Sequence, residues 1–253
     1  MTRHFGKSIA LVGAIAALGT AAHAQEGDDW YVVSDAAKKT TSAGVAYSSN
    51  VVLRVQCVAG KLDVGIAGLH TRPQVGNRYE RALANGQTAP SFWIVSDDGT
   101  TLLARDAARV ARSFKAGGSL TLSAPSDSAN PLQVRLELPT QSAGIDRVLT
   151  DCGRALSDPR DSLLSAMDQV IELPRLQPSS TANRYRQIDI ELSCLIAAGR
   201  LEECQSDHQN PVDAQVGLDT ARRANGTAIQ LRDPAAAEGR VLTVTLTGSS
   251  RRQ

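Results

Sequence analysis

The sequence predicts an α+β protein of two domains, on three observations. Its 253 residues, 42% hydrophobic and 21% charged, are enough to bury one large core or two small ones and carry no mark of disorder. Aromatic residues are scarce at 4% while Ser, Thr, Val and Leu abound, which suits strands covered by short helices better than an aromatic-lined ligand cavity. Segments of period two give way to helical periodicity in each half, and a Pro/Ser-rich stretch separates the halves. The composition also weighs against an enzyme.

The first element is an export signal. Arg3 and Lys7 form a basic region, Ile9 to Leu18 an apolar run, and Ala22-His23-Ala24 a small-x-small pattern before Gln25. Residues 1–24 therefore read as a signal peptide cleaved after Ala24. The run is shorter than the ~20 apolar residues of a spanning helix, and Gly13, Ala14 and Gly19 weaken it further as an anchor. No later segment is long or apolar enough to span a bilayer, and no lipid-accepting cysteine stands near the cleavage site. The expectation is a periplasmic protein with no stable membrane anchor after processing. Losing Arg3 and Lys7 takes the formal balance from +1 to −1, 25 basic against 26 acidic side chains. Such a near-neutral protein has no whole-molecule electrostatic reason to bind nucleic acid or anionic lipid.

Residues 25–157 form the β-rich N-terminal domain. Trp30 to Ser34 reads as its first strand. From Val51 to Cys57, Val51, Leu53, Val55 and Cys57 share one side; a turn at Ala59-Gly60-Lys61 leads into Leu62, Val64 and Ile66, which alternate again as the second arm of a hairpin. Ser91 to Ser96 is another strand, ended by Asp97-Asp98-Gly99. Leu103 to Phe114 reads as a helix with Arg105, Arg109 and Arg112 at i, i+4 and i+7, expected as a solvated face, the alternative being a patch for an acidic partner. After the Gly117-Gly118 break, Ser119 to Ala124 and Leu132 to Leu138 are two further strands.

From Ser142 to Leu156, Ile145, Val148, Leu149, Cys152 and Leu156 recur at helical spacing and make a buried stripe. Cys152 thus faces the same core as Cys57, and in an exported protein the simplest reading is a disulfide joining a strand end to a helix. Four cysteines permit three pairings, and spacing alone does not choose among them. This half resembles the exported type VI secretion-associated VasI-like proteins, through Trp-x-Val-Ser at Trp30, the Leu-x-Val-x-Cys strand at Leu53, the Lys61-Leu62-Asp63 hairpin, Ser91-Phe92-Trp93-Ile94, Phe114 and the helix with Cys152. The likeness covers residues 30–156 and implies a sandwich-like domain with a binding role.

Residues 158–187 read as a helical and Pro/Ser-rich connector, with Pro174, Pro178 and Ser179-Ser180-Thr181. Asp158 and Asp161 around Arg160 look like a helix start rather than an acid/base pair. In the C-terminal domain, residues 188–253, Ile188, Ile190, Leu192, Cys194 and Ile196 alternate with Asp189, Glu191 and Ser193, so one face is hidden and the other wet. Ala197-Ala198-Gly199 reverses the chain into Leu201 to Ser206. Cys194 and Cys204 are equidistant from Gly199: a three-residue loop makes them direct cross-strand partners, and a two-residue shift makes them diagonal. Val212 to Gly226 is helical and Val241 to Thr247 a last strand.

This second half resembles the TonB C-terminal-like domain over residues 173–248, through Ser193-Cys194, Gly199 and Cys204, then Gly217, Ala221 and Arg222, then Gly239-Arg240-Val241. The resemblance implies a three-stranded antiparallel sheet with helices, and a last strand at its edge. An uncovered edge takes up an extended partner segment by main-chain hydrogen bonds, which makes Val241, Thr243, Thr245 and Thr247 the expected partner-binding residues. The chain lacks the Tyr-Pro start of that family and, with a signal peptide in place of an anchoring helix, the means to couple to a motor.

No catalytic, cofactor-binding or metal-binding residue is expected. The mature chain keeps only His70 and His208, both read as exposed loop residues and too few for a three-ligand zinc site. There is no Gly-x-Ser-x-Gly, His-Glu-x-x-His, phosphate loop or Cys-x-x-Cys. The expectation is a non-enzymatic envelope protein acting through an envelope protein partner. The alternatives are a secretion-system accessory protein and an envelope-polymer hydrolase with an unmarked site.

Overall fold

The computed structural model describes residues 30–47, 50–69, 78–82, 88–96, 99–123, 133–172, 176 and 188–248. The export segment 1–24, His70, the Asp97-Asp98 turn and most of the Pro/Ser stretch lie outside the described residues. The protein is α+β, built from antiparallel sheets and short helices.

The first core is framed by nine strands: β1 (Tyr31–Asp35), β2 (Thr40–Ala46), β3 (Val52–Val58), β4 (Lys61–Ala67), β5 (Arg78–Ala82), β6 (Thr88–Val95), β7 (Leu102–Ala104), β8 (Gly118–Ser123) and β9 (Gln133–Leu138). They form one antiparallel sheet in the order β1-β2-β3-β4-β7-β6-β5-β8-β9. Alternation sends Leu53, Val55 and Cys57 of β3, Leu62, Val64 and Ile66 of β4, and Val134, Leu136 and Leu138 of β9 inward. The hairpin between β3 and β4 turns through Ala59 and Gly60 with φ of 50° and 88°, the left-handed pair whose twist matches that of the flanking strands. Helices α1 (Ala107–Phe114) and α2 (Ala143–Asp151) close the same core, where the Trp30 and Phe114 rings stack at 6.2 Å between centroids. Tyr47 after β2 donates to the Glu137 carbonyl of β9 at 2.9 Å, which brings the distant end of the sheet back to its start. Burial, then the Glu137 charge, pushes the Tyr47 phenol up to about 12.

The helix expected from Leu103 begins later, at Ala107. Leu102 and Leu103 instead complete the ladder between β4 and β6, with Leu103 opposite both Gly65 and Ile94. A short strand there runs directly into a short helix, so of the three arginines at helical spacing Arg109 and Arg112 lie on α1 and Arg105 precedes it.

The second core holds β10 (Val170–Glu172), β11 (Ile188–Ala197), β12 (Arg200–Ser206), β13 (Gln230–Leu231) and β14 (Val241–Gly248), with α3 (Pro211–Ala224) and α4 (Pro234–Ala237). The main sheet runs β12-β11-β14, and β10 pairs with β13 beside it. Ile190, Leu192, Cys194 and Ile196 face α3. Gly217 lets α3 lie close on β12, since a Cβ there would stand 2.6 Å from Ser206 Cβ.

The connector expected over 158–187 is in its first part structural. Ser165 bridges Val241 in parallel, Ala166 is fully buried in the second core, and β10 is paired with β13. Apolar side chains at Ala166, Met167 and Val170 have a core to enter, so this stretch packs instead of spanning. Among the described residues no helix is long and apolar enough to cross a membrane.

Candidate functional site

The two cores meet across buried charge. Arg112, on the inner side of α1, is 8% exposed and grips Asp161 with two bonds, Nε to Oδ2 at 2.6 Å and Nη2 to Oδ1 at 2.9 Å. Its Nη1 donates to Asp207 Oδ2 at 3.2 Å, just past β12. Burial works against the guanidinium charge, but the bond to Asp161 and the charges of Asp161 and Asp207 outweigh it, so proton loss is pushed further out of reach. The helix face read as solvated is therefore closed at Arg112, and its acidic partners belong to the same chain. Arg109, one turn earlier, donates through Nη2 to the carbonyls of Asp161 and Leu163, while Arg105 stays exposed.

Arg154 follows α2 and reaches Asp207 Oδ1 at 2.9 Å and His208 Nε2 at 2.5 Å. A guanidinium has no acceptor, so Nε2 accepts and His208 carries its proton on Nδ1. His208 is 6% exposed, and the exposed loop histidine read from its polar neighbours is corrected: its backbone bridges Arg154, drawing the ring inside.

The Asp158 carboxylate accepts from the Arg160 amide at 2.9 Å and caps a 3-10 turn, Pro159–Ser162. Arg160 itself is buried and donates to the carbonyls of Ser193 and Glu203 at 2.6 and 2.5 Å. Those carbonyls flank an irregularity in the β11–β12 ladder. The hairpin turns in two residues, Ala198 and Gly199, with φ of 49° and 71°, and starts with Ala197 opposite Arg200. Continued unchanged, that register would put Glu203, not Cys204, across from Cys194. Glu203, at φ 48°, forms a bulge that adds one residue to β12, after which Ser193 faces Gln205. Cys204 is thereby brought to Cys194, at 4.0 Å between Cα atoms, and the two are joined.

Between these elements lies a cavity of about 190 Å³. Its floor is the face of the second sheet that points away from α3: Glu191 and Ser193 of β11, Gln205 of β12 and Thr243 of β14. Register sets Ser193 beside both Gln205 and Thr243 in one row across the three strands. Arg109, Arg112, Asp158, Asp161 and Asp207 form the opposite wall. Alternation alone read this polar face as wet, yet Glu191 is 6% exposed because α1 and the 3-10 turn cover it. Glu191 makes no hydrogen bond or ion pair among the described residues. Burial, then the Asp207 charge, pushes its carboxyl up to about 8 against the pull of Arg154 and Arg112.

The expected site residues fall in separate places. Cys57 and Cys152 are joined, 5.4 Å apart at Cα, beneath an open groove where Thr41 and Arg147 both bond Asp151 Oδ2, at 2.7 and 2.8 Å. Burial opposes the Asp151 charge, but the bonds from Arg147 and Thr41 hold its carboxyl below the usual range. Of the four edge positions, Val241 is buried and Thr243 looks into the cavity, whereas Thr245 is exposed and Thr247 sits opposite Asp189. Sequence reasoning missed Glu191, Arg154 and Asp207, because each sits in a stretch that reads as ordinary polar surface. No group of three His, Cys, Asp or Glu among the described residues is arranged to hold a metal ion. The chain matches no family model, no curated protein and no solved structure.

Proposed function

We propose that this is a periplasmic, non-enzymatic envelope protein that holds an extended segment of a partner protein along the outer edge of β14. The observation that carries the reading is the hydrogen-bond parity of that strand. Val241 donates to the Leu164 carbonyl at 3.0 Å and accepts from the Ala166 amide at 2.7 Å, both on the side away from β11. In an antiparallel ladder such outward groups recur at every second residue, so those of Thr243, Thr245 and Thr247 face the same way. Among the described residues β14 has β11 on its inner side and, on its outer side, a bridge at Val241 alone. The segment 164–166 is thus the start of a fourth strand that a partner continues.

Export rests on the signal-like residues 1–24, and two disulfides with no free cysteine are what an oxidising compartment allows. The likeness of residues 173–248 to the TonB C-terminal-like domain adds to the edge reading, since that domain carries its last strand at the sheet edge. Thr245 separates the outcomes. Thr245→Pro deletes an outward donor and spares the β11 ladder, whereas Thr245→Val keeps the donor. In crosslinked envelope extracts, capture of a partner by Thr245→Val and not by Thr245→Pro is expected. Equal capture by both, with both folded by circular dichroism, would reject the edge as the binding surface.

A further inference from the structure

We propose that the cavity between the two cores binds a small organic cation with a primary ammonium group, Glu191 supplying the counter-charge. This does not depend on the edge reading, which concerns the backbone of β14 and not the side chains under the junction.

The charges around the cavity leave one carboxyl unspent. Arg112 is matched by Asp161, Arg154 by Asp207, and Asp158 caps the turn that carries Arg160. Arg109 spends its Nη2 on backbone carbonyls, while its buried Nη1 has no hydrogen-bond partner among the described residues. Glu191 alone is more than nine-tenths buried, points off the cavity face of β11, and bonds to nothing among the described residues. A buried carboxyl left so is costly as an anion and is relieved either by a proton or by a cation.

The surroundings select the kind of cation. Two residues along β11 from Glu191 lies the row Gln205, Ser193, Thr243, each able to accept through an oxygen. Cross-strand neighbours stand ~4.5–5.5 Å apart, so one group resting over the row and Glu191 meets one carboxylate and two neutral oxygens. Three N–H donors on a single charge fit that set. A calcium ion does not, since it takes about six to eight oxygens with several carboxylates among them. At about 190 Å³ the space exceeds the roughly 150 Å³ that admits benzene, which sets the ligand at a handful of heavy atoms.

Binding exchanges one positive charge for another. The groups facing Glu191 are Asp106 and Arg112 at and in α1, Arg154 after α2, and Asp207 after β12. With the carboxyl protonated when the cavity holds no cation, an entering ammonium displaces that proton to solvent and leaves a carboxylate–ammonium pair.

The test is calorimetric titration of the full exported chain with ethanolammonium chloride, near neutral pH, in two buffers of different ionisation enthalpy. Saturable binding with release of about one proton is expected. Glu191→Gln should weaken it at least about tenfold, 1.4 kcal/mol, and abolish proton release. Ser193→Ala should weaken it less and keep the proton release. Choline, equally charged but without N–H donors, should bind more weakly than ethanolammonium. Absence of saturable heat, equal affinity in Glu191→Gln, equal affinity for choline, or the same response to sodium chloride at matched ionic strength would each overturn the proposal.

Discussion

Arg112 Nε lies 2.6 Å from Asp161 Oδ2 while its Nη1 reaches Asp207 Oδ2 at 3.2 Å, so one guanidinium ties the helix of the first core to the edge of the second. Removing it strands two poorly solvated carboxylates. Arg112→Met is expected to lower stability by about 3–5 kcal/mol, the range for breaking a buried pair from one side. Replacing Arg112 and Asp161 together by apolar residues should recover part of that loss. Urea denaturation of the three variants gives the comparison, and a double variant no better than Arg112→Met would show that the pair contributes nothing jointly.

Glu191 predicts an unusual pH slope. Its carboxyl titrates near an ordinary 4.5 when unfolded and is raised to about 8 when folded, so the native state holds a proton that the unfolded chain releases. Stability from this group is full below the unfolded value and is lost as pH rises toward the folded one. Between about pH 5 and about pH 8 the protein should lose on the order of 3 kcal/mol relative to Glu191→Gln. Parallel curves for the two proteins would rule out a buried, protonated Glu191.

The two disulfides should differ in what they hold. Cys57 and Cys152 are 95 residues apart and Cys194 and Cys204 only 10, so chain entropy assigns about 4.7 kcal/mol to the first and about 2.7 to the second. Replacing Cys57 and Cys152 by Ser should loosen the first core more than the matching change loosens the second, read as hydrogen-exchange protection in each. Equal losses would contradict the entropic account. Glu203→Pro is the sharper probe of the hairpin: the bulge needs a positive φ that Pro cannot adopt, so Cys204 should no longer close on Cys194.

What was legible in the sequence followed from which residues own a simple period. The β3–β4 hairpin and the apolar side of β14 alternate cleanly, and the stripe Ile145, Val148, Leu149 marks α2. Strand β2, TTSAGVA, has too few large apolar side chains to announce itself, although Ala43 and Gly44 are buried. The junction was illegible for a different reason. A polar face looks the same in sequence whether water or another polar face covers it, so Glu191 read as wet and Arg112 as solvated. Only the fold reveals that each covers the other. The bulge at Glu203 was equally hidden, since no residue type demands it and Arg160, over forty positions earlier, satisfies its carbonyl.

The chain's division gives the last prediction. A cut in the Pro/Ser stretch would separate two independent fragments if that stretch divided the cores. The segment before it nevertheless belongs to the second core: Ala166 is buried there, β10 pairs with β13, and Leu164 and Ala166 bond Val241. Arg160 adds bonds to Ser193 and Glu203, and Arg112 to Asp207. A protease site introduced between positions 177 and 187 should therefore yield a nicked protein whose pieces co-elute on size exclusion and part only in denaturant. Pieces that separate as two folded species under native conditions would show that the ribbon from 158 to 172 contributes little to the second core, and that the buried charges at the junction do not hold the halves together.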